Sequence, residues 1–265
     1  MRIGIIWFGY VGSAVAWAHR TDDVIIRDPK LKDSASLDEF VSCDAIYVCL
    51  PSPPTEDGHC DTSILEQGIK ELLFAIINKP IPIICKTTAP PQFYEKLQAE
   101  YPNIVHSPEF LTAKNNIQDY LGADYFVLGG EYNWCVEARK VIQHSTKQSY
   151  EQFLIVPIKV AALYKYMMNC YLATKVTFMN EFKTLADAHN IEWNDLKHLA
   201  DADSRIGKTH MNVPGDDGEY GWAGACFPKD ISAIIEEAID LNVDFELMDR
   251  VESINKKHRR KNESV

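Results

Sequence analysis

The chain has 265 residues, 46% hydrophobic and 25% charged, enough to bury the core of one large domain or two modest ones. Its formal net charge of −11 argues against nonspecific binding to nucleic acid or to an anionic membrane, and no run of roughly 18 apolar residues is present to span one. An anionic ligand would therefore need a local cationic pocket.

Residues 1 to 6 (MRIGII) open a strand-like segment rather than a secretory signal, so a cytoplasmic protein is expected. The seven cysteines, at 43, 49, 60, 85, 135, 170 and 226, are odd in number and contain no C-x-x-C pair. Reduced thiols are expected rather than a disulfide framework or a zinc site. The histidines are scattered without metal-ligand spacing, and no metal is expected.

Short apolar runs at 3–6, 24–26, 45–50, 81–85 and 126–128 alternate with helix-like stretches. This pattern predicts repeated βαβ units and a parallel sheet covered on both faces. The first strand leads into residues 5–12 (IIWFGYVG), where Gly9 and Gly12 match the second and third glycines of G-x-G-x-x-G and Trp7 stands at the first. Such a turn lets backbone amides and a helix N-terminus face a pyrophosphate, as in a Rossmann-like dinucleotide site. A bulky residue at its first position would tilt the loop or crowd the cofactor. Asp28 closes the second strand and is placed to accept hydrogen bonds from ribose hydroxyls, which suits NAD, although Arg27 and Lys30 leave NADP open. Asp61-Thr-Ser63 opens a helix carrying Ile64, Leu65, Ile69, Leu72 and Leu73, and Asn78-Lys-Pro80 is expected to end it.

Near residue 155 the pattern changes. From Pro157 to about His189 no further Gly or Pro occurs, and apolar residues recur at helical spacing from Val160 through Ala186, predicting one long helix. Apolar residues on more than one face fit burial between two copies of the chain or within one domain. The chain is accordingly divided into an N-terminal Rossmann-like parallel-sheet domain, 1–154, and an all-helical central or dimerisation domain, 155–265. The second holds a shorter helix from about Asn194, a glycine-bearing loop from Arg205 to Gly224 and a helix from about Lys229. The basic tail 256–261 reads as a solvated helix end.

In residues 221–230 (GWAGACFPKD), Cys226 lies between a small-residue turn and a Lys-Asp pair that opens a helix. A helix N-terminus or an adjacent ammonium lowers a thiol from about 8.5 toward the thiolate that attacks carbonyl carbon.

Further runs occur in order at 50–58 (LPSPPTEDG), 86–90 (KTTAP), 107–111 (SPEFL), 165–169 (KYMMN), Asn180-Glu181 and Arg205-Ile-Gly207. With the cysteine run, they resemble the UDP-glucose/GDP-mannose dehydrogenase family from residue 1 to about 260. The resemblance implies oxidation of the C6 alcohol of a nucleotide sugar to a carboxylate with two NAD. Cys226 would be the nucleophile forming a thiohemiacetal and then a thioester, with Lys165 and Asn169, at i and i+4, facing the developing oxyanion. It also implies that Asp230 handles protons and water with Lys165, and that Thr88 and Glu109 hold a water as general base. Cofactor contacts would come from Phe8, Gly9, Tyr10, Val11, Asp28, Pro51, Thr88 and Lys229. Substrate contacts would come from Phe110, Leu111, Lys165, Asn169, Arg205, Tyr220 and Gly224. A homodimer through the long helix is expected from its apolar faces, and no nucleic-acid or membrane partner from the net charge.

The chain departs from the family at Trp7, at Ala113 and Ala162 where acidic residues are expected, and at Ala223 and Ala225. The segment between Asp28 and Ala45 is short, and the chain ends at Val265, before the second α/β domain that supplies most nucleotide contacts in the family. Losing those contacts removes remote binding energy that positions the reacting carbon, so a smaller substrate, a partner chain or weak catalysis is expected. Two other readings stay open. One is a two-electron dehydrogenase of the 3-hydroxyacid or 6-phosphogluconate type, which needs Lys165 and Asn169 but not Cys226. The other is a non-catalytic relic that binds NAD or a partner.

Overall fold

The computed structural model describes residues 1–260 apart from Asn78 and Ala113, and for Tyr150 the backbone alone. Two compact units emerge, one of residues 1–53 with 60–165, the other of 54–59 with the chain from Tyr166 onward.

The first unit is a seven-stranded sheet in the order β2-β1-β3-β4-β5-β6-β7. The strands are β1 (Arg2–Ile6), β2 (Asp23–Arg27), β3 (Ala45–Val48), β4 (Ile83–Cys85), β5 (Ile104–His106), β6 (Phe126–Gly129) and β7 (Phe153–Val156). All neighbouring pairs are parallel except β5 and β6, which meet antiparallel at His106 and Gly129. The expected parallel sheet is thus present with one reversed junction. The connections are α1 (Tyr10–Ala18), α2 (Ser63–Ala75), α3 (Pro91–Glu100), α4 (Asn116–Leu121) and α5 (Tyr132–Thr146).

Each face of the sheet buries its own core, which is why the strands read as apolar runs rather than alternations. Leu65, Ile69 and Leu72 of α2 pack on one side with Tyr94 and Leu97 of α3. Val15 and Ala18 of α1, Tyr120 of α4 and Val141 and Ile142 of α5 pack on the other. The short segment between β2 and β3 forms a six-residue 3-10 helix, Leu37–Ser42, opened by a Ser36–Glu39 capping box in which the Ser36 amide donates to Glu39 Oε1 at 2.7 Å. Its Phe40 is fully buried, and a Cβ on Gly4 would come within 2.6 Å of the Phe40 ring, so glycine in β1 makes the room. Helix α2 starts as expected, with Asp61 Oδ1 accepting the Ser63 amide at 2.9 Å. It ends at Ala75; Asn78, where the sequence expectation placed the stop, lies outside the described residues.

The long helix is α6 (Ile158–Ala188), 31 residues, beginning in the first unit and continuing into the second. The second unit adds α7 (Trp193–Ala202), α8 (Phe227–Asp240) and α9 (Glu246–Arg260). Met179 and Ala186 of α6 pack with Trp193, Met211 and Val213. The segment Pro54–His59 joins this unit through His59 Nε2, 3.2 Å from Asp240 Oδ2, and through Gly58, where φ is 95° and a Cβ would meet Ser232 Oγ at 2.6 Å. Among the described residues, no helix is long and apolar enough to cross a membrane, and no group of metal-ligating side chains is present.

Candidate functional site

At the nucleotide end, β1 delivers the chain into the turn with Trp7 at φ 78°, a left-handed conformation that bulky residues rarely adopt. The turn is tight despite the indole: a Cβ on Gly12 would come within 2.2 Å of the Trp7 carbonyl oxygen. Gly9 caps α1, so the amides of Tyr10 and Val11 open a helix whose N-terminus is free of side-chain caps. Trp7 N–H donates to Arg27 O at 2.8 Å. Asp28, 4% exposed, accepts the Phe8 amide on Oδ2 at 2.9 Å and the Lys30 amide on Oδ1 at 2.8 Å. Its carboxylate is therefore already fixed by the turn before any ribose arrives. A cavity of about 490 Å³ lies at the carboxyl ends of β1, β2 and β3 and is bordered by Trp7, Arg27, Leu50 and Ile64. A glycine at position 12 that admits no side chain, an uncapped helix N-terminus and a cavity at the strand ends fit a dinucleotide.

Deeper in the same unit, Pro51 follows β3, and the adjacent Ser52 hydroxyl donates to Thr88 O at 2.7 Å while Thr87 Oγ1 donates to Leu50 O at 2.7 Å. These two bonds lock the Leu50-to-Ser52 turn onto the strand end that carries Thr88, which is buried. Lys86 is 2% exposed, donates to Ser107 Oγ at 3.1 Å and lies 5.5 Å from the Tyr120 ring centroid. Burial lowers it to about 8, opposed by the Cys49 thiol and Glu109. His106 stacks on Tyr94 at 4.1 Å and is pushed down to about 3 by burial, so it is neutral.

Lys165 of α6 lies 4% exposed, with Nζ donating to Glu109 O at 2.5 Å and approaching Glu109 Oε1 at 3.5 Å. Glu109 Oε2 accepts the Leu111 amide at 2.7 Å. The Phe110 ring centroid is 5.2 Å from Lys165 Nζ, and Phe110 packs against Tyr125 and Tyr164, whose hydroxyls are 2.6 Å apart. Glu109 and Phe110 of the run at 107–111 thus flank Lys165 Nζ. Ala162, one turn earlier on α6, is 1% exposed in the core, a setting that refuses an unpaired carboxylate. Ala113 lies outside the described residues.

In the second unit, Asn169 Nδ2 donates to Asp230 Oδ2 at 2.6 Å, with both side chains buried, and Lys229 Nζ pairs with Asp230 Oδ1. Cys226 caps α8 at its N-terminus, Pro228 follows in the first turn, and the Asp230 amide donates to Cys226 O at 2.9 Å. Of the seven cysteines, Cys226 is the exposed one, whereas burial pushes the thiols of Cys49, Cys135 and Cys170 up to about 12.

The cysteine loop is held by contacts that sequence reasoning missed. Asn255 of α9 accepts the Trp222 amide on Oδ1 at 2.7 Å and donates Nδ2 to Trp222 O at 2.9 Å. The Trp222 indole N–H donates to Thr177 Oγ1 at 3.0 Å, and the Gly221 amide to Asn180 Oδ1 at 2.9 Å. Gly221 has φ 75°, and a Cβ there would sit 2.3 Å from Asn255 Oδ1, so only glycine admits the clamp. Asn180 was visible as part of an Asn-Glu pair; Asn255, in a charged helix, offered no signal.

The structure groups Lys165 with Glu109 and Phe110, and Asn169 with Asp230 and Lys229. Arg205 is not held in a closed site: its side chain is 87% exposed and pairs with Asp203 at 2.6 Å. Gly224, at φ 86°, borders open space, and Tyr220 packs beside Met211 and Val213.

Residues 25–153 match the model of the UDP-glucose/GDP-mannose dehydrogenase family, NAD binding domain, and residues 159–257 that of the family's central domain. A UDP-glucose 6-dehydrogenase of Rickettsia prowazekii (strain Madrid E) is 29% identical over 224 residues, covering 82% of this chain and 50% of its own. The structure of a UDP-glucose dehydrogenase from Pyrobaculum islandicum superposes with a TM-score of 0.82 at 22% identity, over 97% of this chain and 68% of that one. A 3-hydroxyisobutyrate dehydrogenase from Mycobacterium tuberculosis shares the fold with a TM-score of 0.72 at 13% identity, over 97% of this chain and 94% of that one. The chain spans about half the length of the curated relatives it matches. With a dinucleotide turn and cavity at one end, a buried Lys165 beside Glu109 and an exposed thiol capping α8, the chain belongs to the UDP-glucose/GDP-mannose dehydrogenase family and carries its NAD-binding and central domains.

Proposed function

We propose that the chain oxidises the C6 alcohol of a nucleotide sugar to the carboxylate in two two-electron steps, using Cys226 as nucleophile. NAD supplies the hydride acceptor in both oxidations. In the first step the alcohol loses its proton to a base and its hydride, leaving an aldehyde. The Cys226 thiolate adds to that carbonyl carbon, and the resulting thiohemiacetal loses a second hydride and a proton to become a thioester. Water then adds to the thioester and the carbon–sulfur bond breaks, releasing the carboxylate and returning the thiol. The Lys165 ammonium and Asn169 amide stabilise the oxyanions, and Asp230, bonded to both Asn169 and Lys229, accepts protons. Glu109 and Thr88 orient the hydrolytic water.

The observation that carries this reading is the exposed Cys226 capping α8 one turn before the buried, amide-bonded Asp230. Measuring NADH released per sugar consumed tests it, with UDP-glucose and GDP-mannose as first substrates. Two NADH per product are expected, with Cys226→Ser forming at most one. One NADH per product, unchanged in Cys226→Ser, would instead support a two-electron dehydrogenase, the reading favoured by the fold shared with the 3-hydroxyisobutyrate enzyme over 94% of that chain.

We also infer that two copies pair along α6. Val160, Leu163, Met167, Tyr171, Phe178 and Phe182 repeat at three-, four- and seven-residue intervals and are each about half exposed, an apolar seam suited to a second helix.

A further inference from the structure

Among the described residues with positive φ, Trp7 is the one whose side chain fits its backbone least. The turn it occupies favours glycine, yet it carries the largest side chain in the left-handed region, at φ 78°. The conformation is held from outside: Trp7 N–H is tied to Arg27 O at 2.8 Å and the next amide, that of Phe8, to the buried Asp28 carboxylate at 2.9 Å. Strain of this kind persists where the side chain does something that glycine would not.

The indole borders the cavity of about 490 Å³ at the ends of β1 to β3, with Leu50 and Ile64 as further apolar walls and Arg27 and Gln67 as polar groups. Lys30 Nζ stands 5.8 Å from the indole centroid, a cation beside an aromatic face. A flat, π-faced wall, apolar sides and a few polar groups recognise a planar heteroaromatic ring carrying a phosphate. In a chain with an NAD-binding domain, the occupant of that chemistry is the adenosine half of the cofactor.

We propose that the Trp7 indole is a stacking wall for the cofactor's adenine ring, replacing a turn glycine that would leave that face bare. The proposal rests on NAD being the cofactor and adds a role for one residue that the family's glycine cannot play. Base stacking on an aromatic side chain is sequence-tolerant and large enough to change affinity by an order of magnitude.

The test is calorimetric titration of the full chain with ADP-ribose and with NAD, comparing wild type with Trp7→Gly and Trp7→Phe. Glycine suits the turn, and the strain it relieves offsets the lost packing of the indole against the sheet core, so Trp7→Gly should fold, with its melting curve as the check. Its dissociation constant for ADP-ribose should nevertheless rise roughly tenfold or more, with Trp7→Phe between the two. ADP-ribose should also quench tryptophan fluorescence in wild type and much less in Trp7→Phe, which keeps the other four tryptophans. Equal or tighter binding by Trp7→Gly would show that the indole crowds the site and would overturn the proposal while leaving NAD binding intact. Failure of wild type to bind either ligand would overturn the proposal and the cofactor site together.

Discussion

Two residues concentrate the chemistry that burial controls. Cys226 is the exposed thiol, while the Cys43 thiol is pushed up to about 11 and those of Cys49, Cys135 and Cys170 to about 12. Because the thiolate is the reactive form, iodoacetamide near pH 7.5 should alkylate Cys226 first, with dehydrogenase activity lost in step with that modification by peptide mass mapping. Modification of a buried cysteine at equal speed would contradict the assignment. Lys86 is the opposite case, a cation held in the interior. Its folded value is lowered to about 8 from an ordinary 10.5 by burial, so below pH 8 the native state carries a buried charge that the unfolded chain hydrates freely. Between pH 8 and 10.5 the unfolded chain holds the proton and the native one does not, so this group makes stability rise with pH by roughly 3 kcal/mol across the window. Relative to wild type, Lys86→Met should therefore show its greatest stability advantage near pH 7 and lose it by pH 10. Urea denaturation at several pH values reads the difference, and an advantage that does not change with pH would show that Lys86 stays protonated in the fold.

Among the elements, the cysteine loop depends on a helix remote in sequence. Asn255→Ala removes the partner of the Trp222 amide and one of two partners of its carbonyl, which keeps Arg259 Nε at 3.3 Å, and leaving the buried amide unsatisfied costs about 1–3 kcal/mol. The expected outcome is a lower urea midpoint and a fall in turnover, with the dissociation constant for NAD little changed; weakened NAD binding would show that the damage is general. These elements were unevenly legible beforehand. The long helix was readable because thirty residues without glycine or proline leave periodicity little competition, and α6 ends within a residue or two of the expected limits. Strands β5 and β7 escaped because β5 offers only two apolar residues in a row, Ile104 and Val105, and the apolar run of β7 lies against the start of the long helix, where the helical pattern dominates. The reversal at β5 and β6 is likewise set by how the chain returns to the sheet, which no local pattern records. Each member of the Lys165–Glu109 and Asn169–Asp230 pairs was a visible candidate, but who bonds to whom is a tertiary fact. Asn255 was hidden because an asparagine among charged residues reads as surface until the Trp222 backbone is placed against it.

At the scale of the whole chain, the sequence spans about half the length of the curated relatives it matches. A seam of half-exposed apolar residues runs along α6, and the proposed pairing of two copies would remove it from solvent. Light scattering should give about twice the 30.1 kDa chain mass, and the double variant Leu163→Glu, Met167→Glu should return it to one chain. A wild-type mass of one chain would refute the pairing. The clamp between Trp222 and Asn255 also sets an order in time. The last residue of the NAD-binding unit, Lys165, leaves the ribosome 90 residues before Asn255, a gap of roughly 5–18 s at ordinary synthesis rates. During that interval the nascent chain can complete its nucleotide-binding half and emit Cys226 while the loop that will hold the thiol is still unfastened. The loop that carries Cys226 is therefore fastened only after α9 has been made and can grip it.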